Sequence, residues 1–367
     1  MENLVAMNSD FWAGKRVLIT GHTGFKGCWL SLRIQTSGSQ VAGYALQPPP
    51  GPSIFAAANV GDGMESVIGD VRDLEHLRQV VRSFQPEVIF HLAAQSLVRK
   101  SYSDPVGTYA TNVMGAVHLL EAAREVDSVR VIVNVTSDKC YENRQKVEGY
   151  KETDAMGGYD PYSSSKGCSE IVTAAYRRSF FSDDRQVAVA SVRAGNVIGG
   201  GDWAEDRLVP DVIRAFANGD RPAIRRPNAI RPWQHVADPI LGYLLLAERM
   251  WFDPALFSEA WNFGPDEKDT WSVAQVVERL TALWGTDAAW RLDPGTHPHE
   301  AASLTLDCAK ARSRLSWRPV WSLDRALSST VDWYKAYYKR DDVRLLTIRQ
   351  IEEHAAIAHS SSKTSLQ

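Results

Sequence analysis

At 367 residues with 41 Lys and Arg against 44 Asp and Glu, a formal charge of −3, the chain is long enough to bury one large core without disulfides or metals. That balance supplies no global basic field and argues against a sequence-independent grip on nucleic acid or an anionic membrane. No apolar run approaches the roughly 20 residues of a spanning helix, and Met1–Asp10 lacks the basic flank and apolar stretch of a signal peptide, so a cytoplasmic protein is expected. The scattered Cys28, Cys140, Cys168 and Cys308 read as reduced thiols, and no metal site is predicted.

Six short β-rich apolar runs follow in chain order: Arg16–Thr20, Val41–Leu46, Glu65–Ile68, Glu87–His91, Val129–Val135 and Val187–Val192. Between them, Leu74–Phe84, Val106–Val126 and Pro161–Phe181 carry helical periodicity. The alternation predicts an α/β fold, a doubly wound parallel sheet of Rossmann-like type with helices on both faces. After about residue 195 the pattern breaks into Gly/Pro-rich loops and the helices Leu208–Ala217, Pro239–Met250, Val273–Trp284 and Leu323–Tyr337. The organisation expected is a doubly wound domain over 12–195, to which later segments return, and a smaller discontinuous C-terminal substrate lobe over 196–340. Residues 341–367 are expected to form a helix and a disordered polar tail from Ser360.

Directly after the first strand comes Gly21-x-x-Gly24-x-x-Gly27, opening a helix. Glycines there permit a tight turn and close backbone approach, and the helix N-terminus offers free N–H groups to a pyrophosphate. The spacing resembles the extended short-chain dehydrogenase/reductase family, which implies NAD as cofactor. The resemblance places Gly21, Thr23, Gly24, Phe25, Lys26 and Gly27 around it, Asp70 and Val71 at the adenine, and Leu92, Ala93 and Ala94 in a loop beneath it. Asp73 reads as a cap for Leu74–Phe84. Gln47 stands where an acidic ribose ligand usually falls; it does not repel a 2′-phosphate, so NAD over NADP rests on the resemblance.

Tyr162 and Lys166 are four apart and share one helix face. A positive Lys166, with a cationic nicotinamide nearby, is expected to lower the phenol pKa toward the operating pH and make it a base. Alone, such a pair is commonly an exposed helical accident. Here it follows a strand ending in Thr136-Ser137-Asp138-Lys139, and the order reproduces the Ser–Tyr–Lys triad of the family. A triad makes a ketone. Loss of water across C5 and C6 needs an acid at O6 and a base at C5, and Asp138 and Lys139 supply two titratable groups beside Ser137. Lys139 is the expected base, with Tyr159 as the competing reading.

The resemblance then narrows. Thr20–Gly27, Thr136–Tyr141, Gly157–Ser163, Arg193–Trp203, Arg231–Val236 and Trp261–Pro265 are similar to the nucleotide-sugar 4,6-dehydratases that act on CDP-glucose, whereas those for dTDP-glucose carry Thr-Asp-Glu at 137–139. The resemblance implies a hydro-lyase that converts CDP-glucose to CDP-4-dehydro-6-deoxyglucose with NAD as a transient hydride store, in deoxysugar and surface-polysaccharide synthesis. It also implies substrate contacts from Gln95, Asn196, Arg207, Arg231 and His299, a structural role for His235 and Asp238, and a homodimer formed by helices Val106–Val126 and Pro161–Phe181. A C4 epimerase, another nucleotide-sugar dehydratase and a silent NAD-binding sensor are the alternatives.

Overall fold

The computed structural model describes residues 7–146, 148–182, 187–285, 290–295 and 304–364. The six apolar runs become parallel strands: β1 Arg16–Thr20, β2 Gln40–Ala45, β3 Glu65–Ile68, β4 Val88–His91, β5 Val131–Val135 and β6 Ala188–Ala194. Every residue of β4, β5 and β6 is buried, as continuous apolar runs require when helices cover both faces, while the edge strand β3 is largely exposed. Later come β7 Asn196–Ile198, β8 Ala223–Ile224, β9 Ile230–His235, β10 Ala260–Phe263, β11 Thr270–Ser272 and β12 Arg291–Leu292. Strand β10 returns to the large sheet, pairing in parallel with β6, to give seven strands in the order β10-β6-β5-β4-β1-β2-β3. The order reverses between β1 and β4, and a crevice opens beyond the C-terminal ends of strands at such a point.

Alternation along each strand divides the core. Leu18, Ala42, Ile89, Ile132 and Val189 face a cluster that includes Leu77, Val81, Leu119 and Leu120. Their neighbours Val17, Ile19, Val88, Phe90, Val131 and Val133 face the other way, toward Trp29, Leu32, Leu241 and Leu244. The second layer draws on helix Ala237–Phe252, which comes from beyond residue 195 but packs on β5 and β6. The remaining late segments build a three-stranded sheet, β11-β9-β7, and a group in which helix Val273–Trp284 packs on Leu208–Ala217 and Leu323–Lys339.

Two elements differ from expectation. The Val106–Val126 helix is interrupted: Pro105–Tyr109 and Gly115–Arg124 flank a π turn at Ala110–Met114. The extra residue brings Asn112 inward, where Oδ1 accepts from the Gln95 N–H at 2.8 Å and Nδ2 donates to Gln95 O at 2.9 Å and Ser165 Oγ at 2.8 Å. The C-terminal helix starts at Val343 and runs past Ser360 to Thr364, and the rest of the expected polar tail, 365–367, lies outside the described residues. Val343, Thr347, Ile351, His354 and Ala358 are buried on one stripe, so the polar end only continues a helix already anchored. Among the described residues no helix is long and apolar enough to cross a membrane.

The N-terminal turn Ser9–Trp12 is tied to the core by Glu248, which accepts from Trp12 Nε1 at 2.6 Å and Asn8 N at 3.0 Å. Burial pushes its carboxyl up to about 7 despite those bonds. Because the folded value lies above the unfolded one, ionisation penalises the fold increasingly as pH rises from the ordinary Glu range through about 7. Glu248→Gln keeps an acceptor for Trp12 without the charge. It is expected to stabilise the protein by about 1–3 kcal/mol near pH 8 and to be neutral near pH 4.5. Urea unfolding at the two pH values checks this, and equal effects at both contradict it.

Candidate active site

At the end of β1 the chain turns through Gly21 at φ +76°, a left-handed conformation that favours glycine. A Cβ there would lie 2.7 Å from Ala93 N, and one at Gly27 would lie 2.1 Å from Gly21 O. Glycine therefore lets the Phe25–Gln35 helix start hard against the sheet. Its N-cap, Gly24, provides no side-chain cap, so the first-turn N–H groups face the crevice without a carboxylate or hydroxyl over them. This cradle fits a dinucleotide pyrophosphate.

The crevice is a cavity of about 2540 Å³. Sites for one small ligand run to roughly 1,000 Å³, so there is room for two nucleotide-sized molecules. Gly21, Thr23, Gly24, Phe25, Lys26 and Gly27 line it together with Asp70, Val71, Leu92, Ala93 and Ala94. Ser137, Asp138, Lys139, Tyr162 and Lys166 line it too, as do Gln95, Asn196, Arg207 and Arg231. His299 lies outside the described residues. Among those described, no group of His, Cys, Asp and Glu could hold a metal ion.

Several of these side chains already have protein partners. Thr23 donates to Leu46 O at 2.9 Å. The carboxylate of Asp70 takes Arg72 Nε at 2.9 Å, and Arg72 holds it below the usual range. Asp73 caps helix Leu74–Phe84 through the His76 N–H at 3.0 Å. Gln95 spends its amide on Leu97 O and Thr108 Oγ1. Arg207 pairs with Asp202 at 2.8 Å and donates to Ser96 Oγ at 3.1 Å, while Arg231 donates to Ile230 O at 3.0 Å.

The reacting groups come from two elements. After β5, a 3₁₀ turn over Asp138–Cys140 brings three side chains together. Ser137 Oγ donates to Asp138 Oδ1 at 3.0 Å and accepts from Lys139 N at 3.2 Å; Lys139 Nζ lies 3.8 Å from Asp138 Oδ1. Facing them, helix Pro161–Phe180 begins with Pro161 and the cap Asp160, which accepts from the Ser163 N–H at 2.9 Å. Tyr162 and Lys166 are buried one turn apart on it, and Tyr162 hydrogen bonds with Ser137.

The electrostatics of the protein alone oppose ionisation of the phenol. Burial outweighs the nearby cations and raises the Tyr162 phenol; Lys139 and the Ser137 bond pull it down, and Asp138 pushes it up. Lys166 has a backbone partner of its own. Its ammonium donates to Val135 O at 3.2 Å, and burial lowers it to about 8 against the attraction of Glu170.

One turn beyond Lys166, Glu170 anchors a buried network that no motif pointed to. Arg193 of β6 binds it through Nε at 2.9 Å and Nη2 at 2.8 Å, Ser191 Oγ donates at 2.6 Å, and Thr136 Oγ1 donates to it as well. Arg193 also donates to Tyr141 Oη at 2.6 Å, and Tyr141 donates to Asn262 Oδ1 of β10 at 2.8 Å. Burial acts to raise the carboxyl of Glu170, but Arg193 and the bonds from Arg193, Ser191 and Thr136 hold it below the usual range. A buried acid at i+4 from Lys166 and an arginine closing an apolar strand were the available sequence signals.

A parallel seven-stranded sheet with a glycine cradle at β1 and Ser137, Tyr162 and Lys166 around one crevice defines an extended short-chain dehydrogenase/reductase. Residues 18–330 match the family model for GDP-mannose 4,6 dehydratase, and the chain belongs to that family. It is 52% identical to the CDP-glucose 4,6-dehydratase of Salmonella typhimurium over 95% of this chain and 98% of that one. Among solved structures it resembles the UDP-glucose 4-epimerase of Thermotoga maritima with UDP-glucose (TM-score 0.77, 23% identity, 88% of this chain and 99% of that one). It also resembles the dTDP-glucose 4,6-dehydratase of Bacillus anthracis in complex with NAD (TM-score 0.74, 22% identity, 89% and 99%).

Glu170→Gln leaves the Arg193 charge buried without its counterion and is expected to cost about 3–5 kcal/mol of unfolding free energy. Adding Arg193→Met should recover part of that loss. A double variant as destabilised as the sum of the two singles, measured in urea, contradicts the coupling.

Proposed function

We infer that this protein is an NAD-dependent hydro-lyase that converts CDP-glucose to CDP-4-dehydro-6-deoxyglucose. The observation that carries the reading is the Ser137-Asp138-Lys139 turn set against Tyr162 and Lys166. An oxidation site needs Ser137, Tyr162 and Lys166; a carboxylic acid and an amine beside them answer to the further loss of water. The likeness to the Salmonella typhimurium enzyme, covering nearly the whole of both chains, supports CDP-glucose as the substrate.

NAD, when bound, supplies a site that accepts a hydride from C4 and later returns it. The open N–H groups of the Phe25–Gln35 helix would hold its pyrophosphate, and Asp70, Val71 and Leu92–Ala94 would contact the rest of the dinucleotide. Lys166, close to Tyr162 in the helix, orients the nicotinamide end. Ser137 bonds the sugar O4 while Tyr162 takes its proton; the cationic nicotinamide and Lys139 bring the raised phenol down to a useful basicity. Asp138, in its protonated form, then gives its proton to the departing O6, and Lys139, once its ammonium has passed a proton to water, removes the C5 proton as the free amine. Lys139 is preferred to Tyr159 because Tyr159 is 78% exposed, whereas Lys139 stands 3.8 Å from Asp138. Gln95, Asn196, Arg207, Arg231 and His299 are assigned to the nucleotide sugar. Arg207 exchanges part of its bond to Asp202 for the diphosphate.

The enzyme is further proposed to be a cytoplasmic homodimer that supplies deoxysugar precursors for surface polysaccharide. Free thiols at all four cysteines suit a reducing compartment. Val106, Met114 and Ile171 leave exposed apolar surface on the helical segments Pro105–Arg124 and Pro161–Phe180, and pairing these across a two-fold axis buries it.

CDP-, dTDP-, UDP- and GDP-glucose offered to the purified protein are expected to yield a 4-keto product from CDP-glucose; turnover of another nucleotide sugar in its place overturns the substrate assignment. Tyr162→Phe is expected to bind NAD as before and to slow reduced-cofactor formation about 10²–10⁴-fold in a single turnover. A wild-type rate in that variant removes the phenol as base. Asp138→Asn should reduce NAD and then stall, and normal product formation removes Asp138 as the acid.

A further inference from the structure

Between β7 and helix Leu208–Ala217 the chain runs along the crevice, and every residue of Asp202–Arg207 lines it. One side of this segment is held by the substrate lobe: Tyr334 donates to Asp202 O, and Arg214 Nη1 donates to Trp203 O at 2.9 Å. Its tip reaches the opposite wall. Asp206 Oδ1 accepts from Arg99 Nη1 at 2.9 Å, and Arg207 Nη2 donates to Ser96 Oγ at 3.1 Å; Ser96 and Arg99 both belong to the stretch that follows β4. The same Asp206 oxygen lies 3.4 Å from Arg225 Nη1, just after β8, so one carboxylate holds a cation from each wall. Asp206 has φ +61°, a left-handed conformation that few residues but glycine, asparagine and aspartate adopt readily. The tip is thus a tight turn that carries its own carboxylate.

We propose that Asp206 latches Asp202–Arg207 as a strap across the nucleotide-sugar half of the crevice, and so sets how fast that ligand leaves. The idea rests on the nucleotide-sugar reading of the site, since Asn196, Arg207 and Arg231 line the crevice together with the strap. The side chains of Arg99, Asp206 and Arg225 are 37%, 38% and 22% exposed. Ion pairs so open to water are individually weak, which suits a contact that must part and re-form. A tip held by a few such pairs opens locally without disturbing the sheet beneath it. The alternative role for Asp206 has the opposite sign. A plain negative charge beside an anionic ligand repels it, so removing that charge tightens binding and slows departure. Removing a latch speeds departure.

The test follows a fluorescent derivative of CDP as excess CDP chases it from the NAD-loaded full chain. Asp206→Asn is expected to speed its departure about three- to tenfold, with Kd changed less than that rate. Arg99→Gln should speed departure too, and by less on the Asp206→Asn background than on the wild type, because the shared pair is already gone. Departure from Asp206→Asn that is slower than or equal to wild type overturns the proposal, as does an Arg99→Gln effect of the same size on both backgrounds. A second measurement needs no nucleotide: hydrogen-exchange protection of the 203–207 amides should fall about three- to tenfold in Asp206→Asn while that of β5 stays at the wild-type level. Unaltered protection over 203–207 overturns the strap. A wild type that fails to bind CDP, with protection lost in the variant as expected, removes the CDP-sugar reading and leaves the strap standing.

Discussion

The buried pair of Glu170 and Arg193 is the interaction on which the geometry of the crevice depends. Neither charge is tolerable in the sheet interior alone, and together they are bonded on every side. Glu170 belongs to the helix that carries Tyr162 and Lys166. Arg193 is the penultimate residue of β6, Thr136 directly follows β5, and Tyr141 closes the turn that holds Ser137, Asp138 and Lys139. Both ends of that turn are thus tied, directly or through Arg193, to one carboxylate on the opposing helix. The acid and amine of the turn are placed against the phenol by a network whose members cannot move singly, which is the preorganisation a multistep reaction requires.

Burial sets the chemistry as well as the shape. It raises the Tyr162 phenol and lowers the ammonium groups of Lys166 and Lys26, so each resists the charge it needs. The relief comes from neighbours: Lys139 and Arg207 act on Tyr162, and an oxidised nicotinamide adds a further positive charge. A phenol that becomes a good base only when such a cation is near ties sugar oxidation to a loaded cofactor. A neutral reduced ring would no longer lower the phenol, and on the proposed reading the later steps would fall to Asp138 and Lys139.

Much of this was legible in the sequence. Continuous apolar runs read as buried parallel strands because β4, β5 and β6 have no solvent face, and helices Leu74–Phe84, Leu208–Ala217 and Val273–Trp284 have the expected bounds. The Ser137, Tyr162 and Lys166 group was recognisable because its chemistry demands fixed spacing along a helix and a strand end. What escaped depends on contacts distant in sequence. The π turn at Ala110–Met114 exists because Asn112 bonds the backbone of Gln95, and local periodicity carries no trace of that partner. The direction of Lys26 is decided by Tyr243, 217 residues away. The polar end beyond Ser360 continues a helix anchored upstream, so its composition misled.

On the proposed mechanism one cofactor stores a hydride between oxidation at C4 and reduction at C6 within a single crevice. CDP-glucose carrying deuterium at C4, turned over by the wild-type protein with unlabelled NAD, tests it most directly. Deuterium is expected at C6 of the 4-keto product without net formation of reduced cofactor. Label lost to solvent, or reduced cofactor accumulating in step with product, contradicts it.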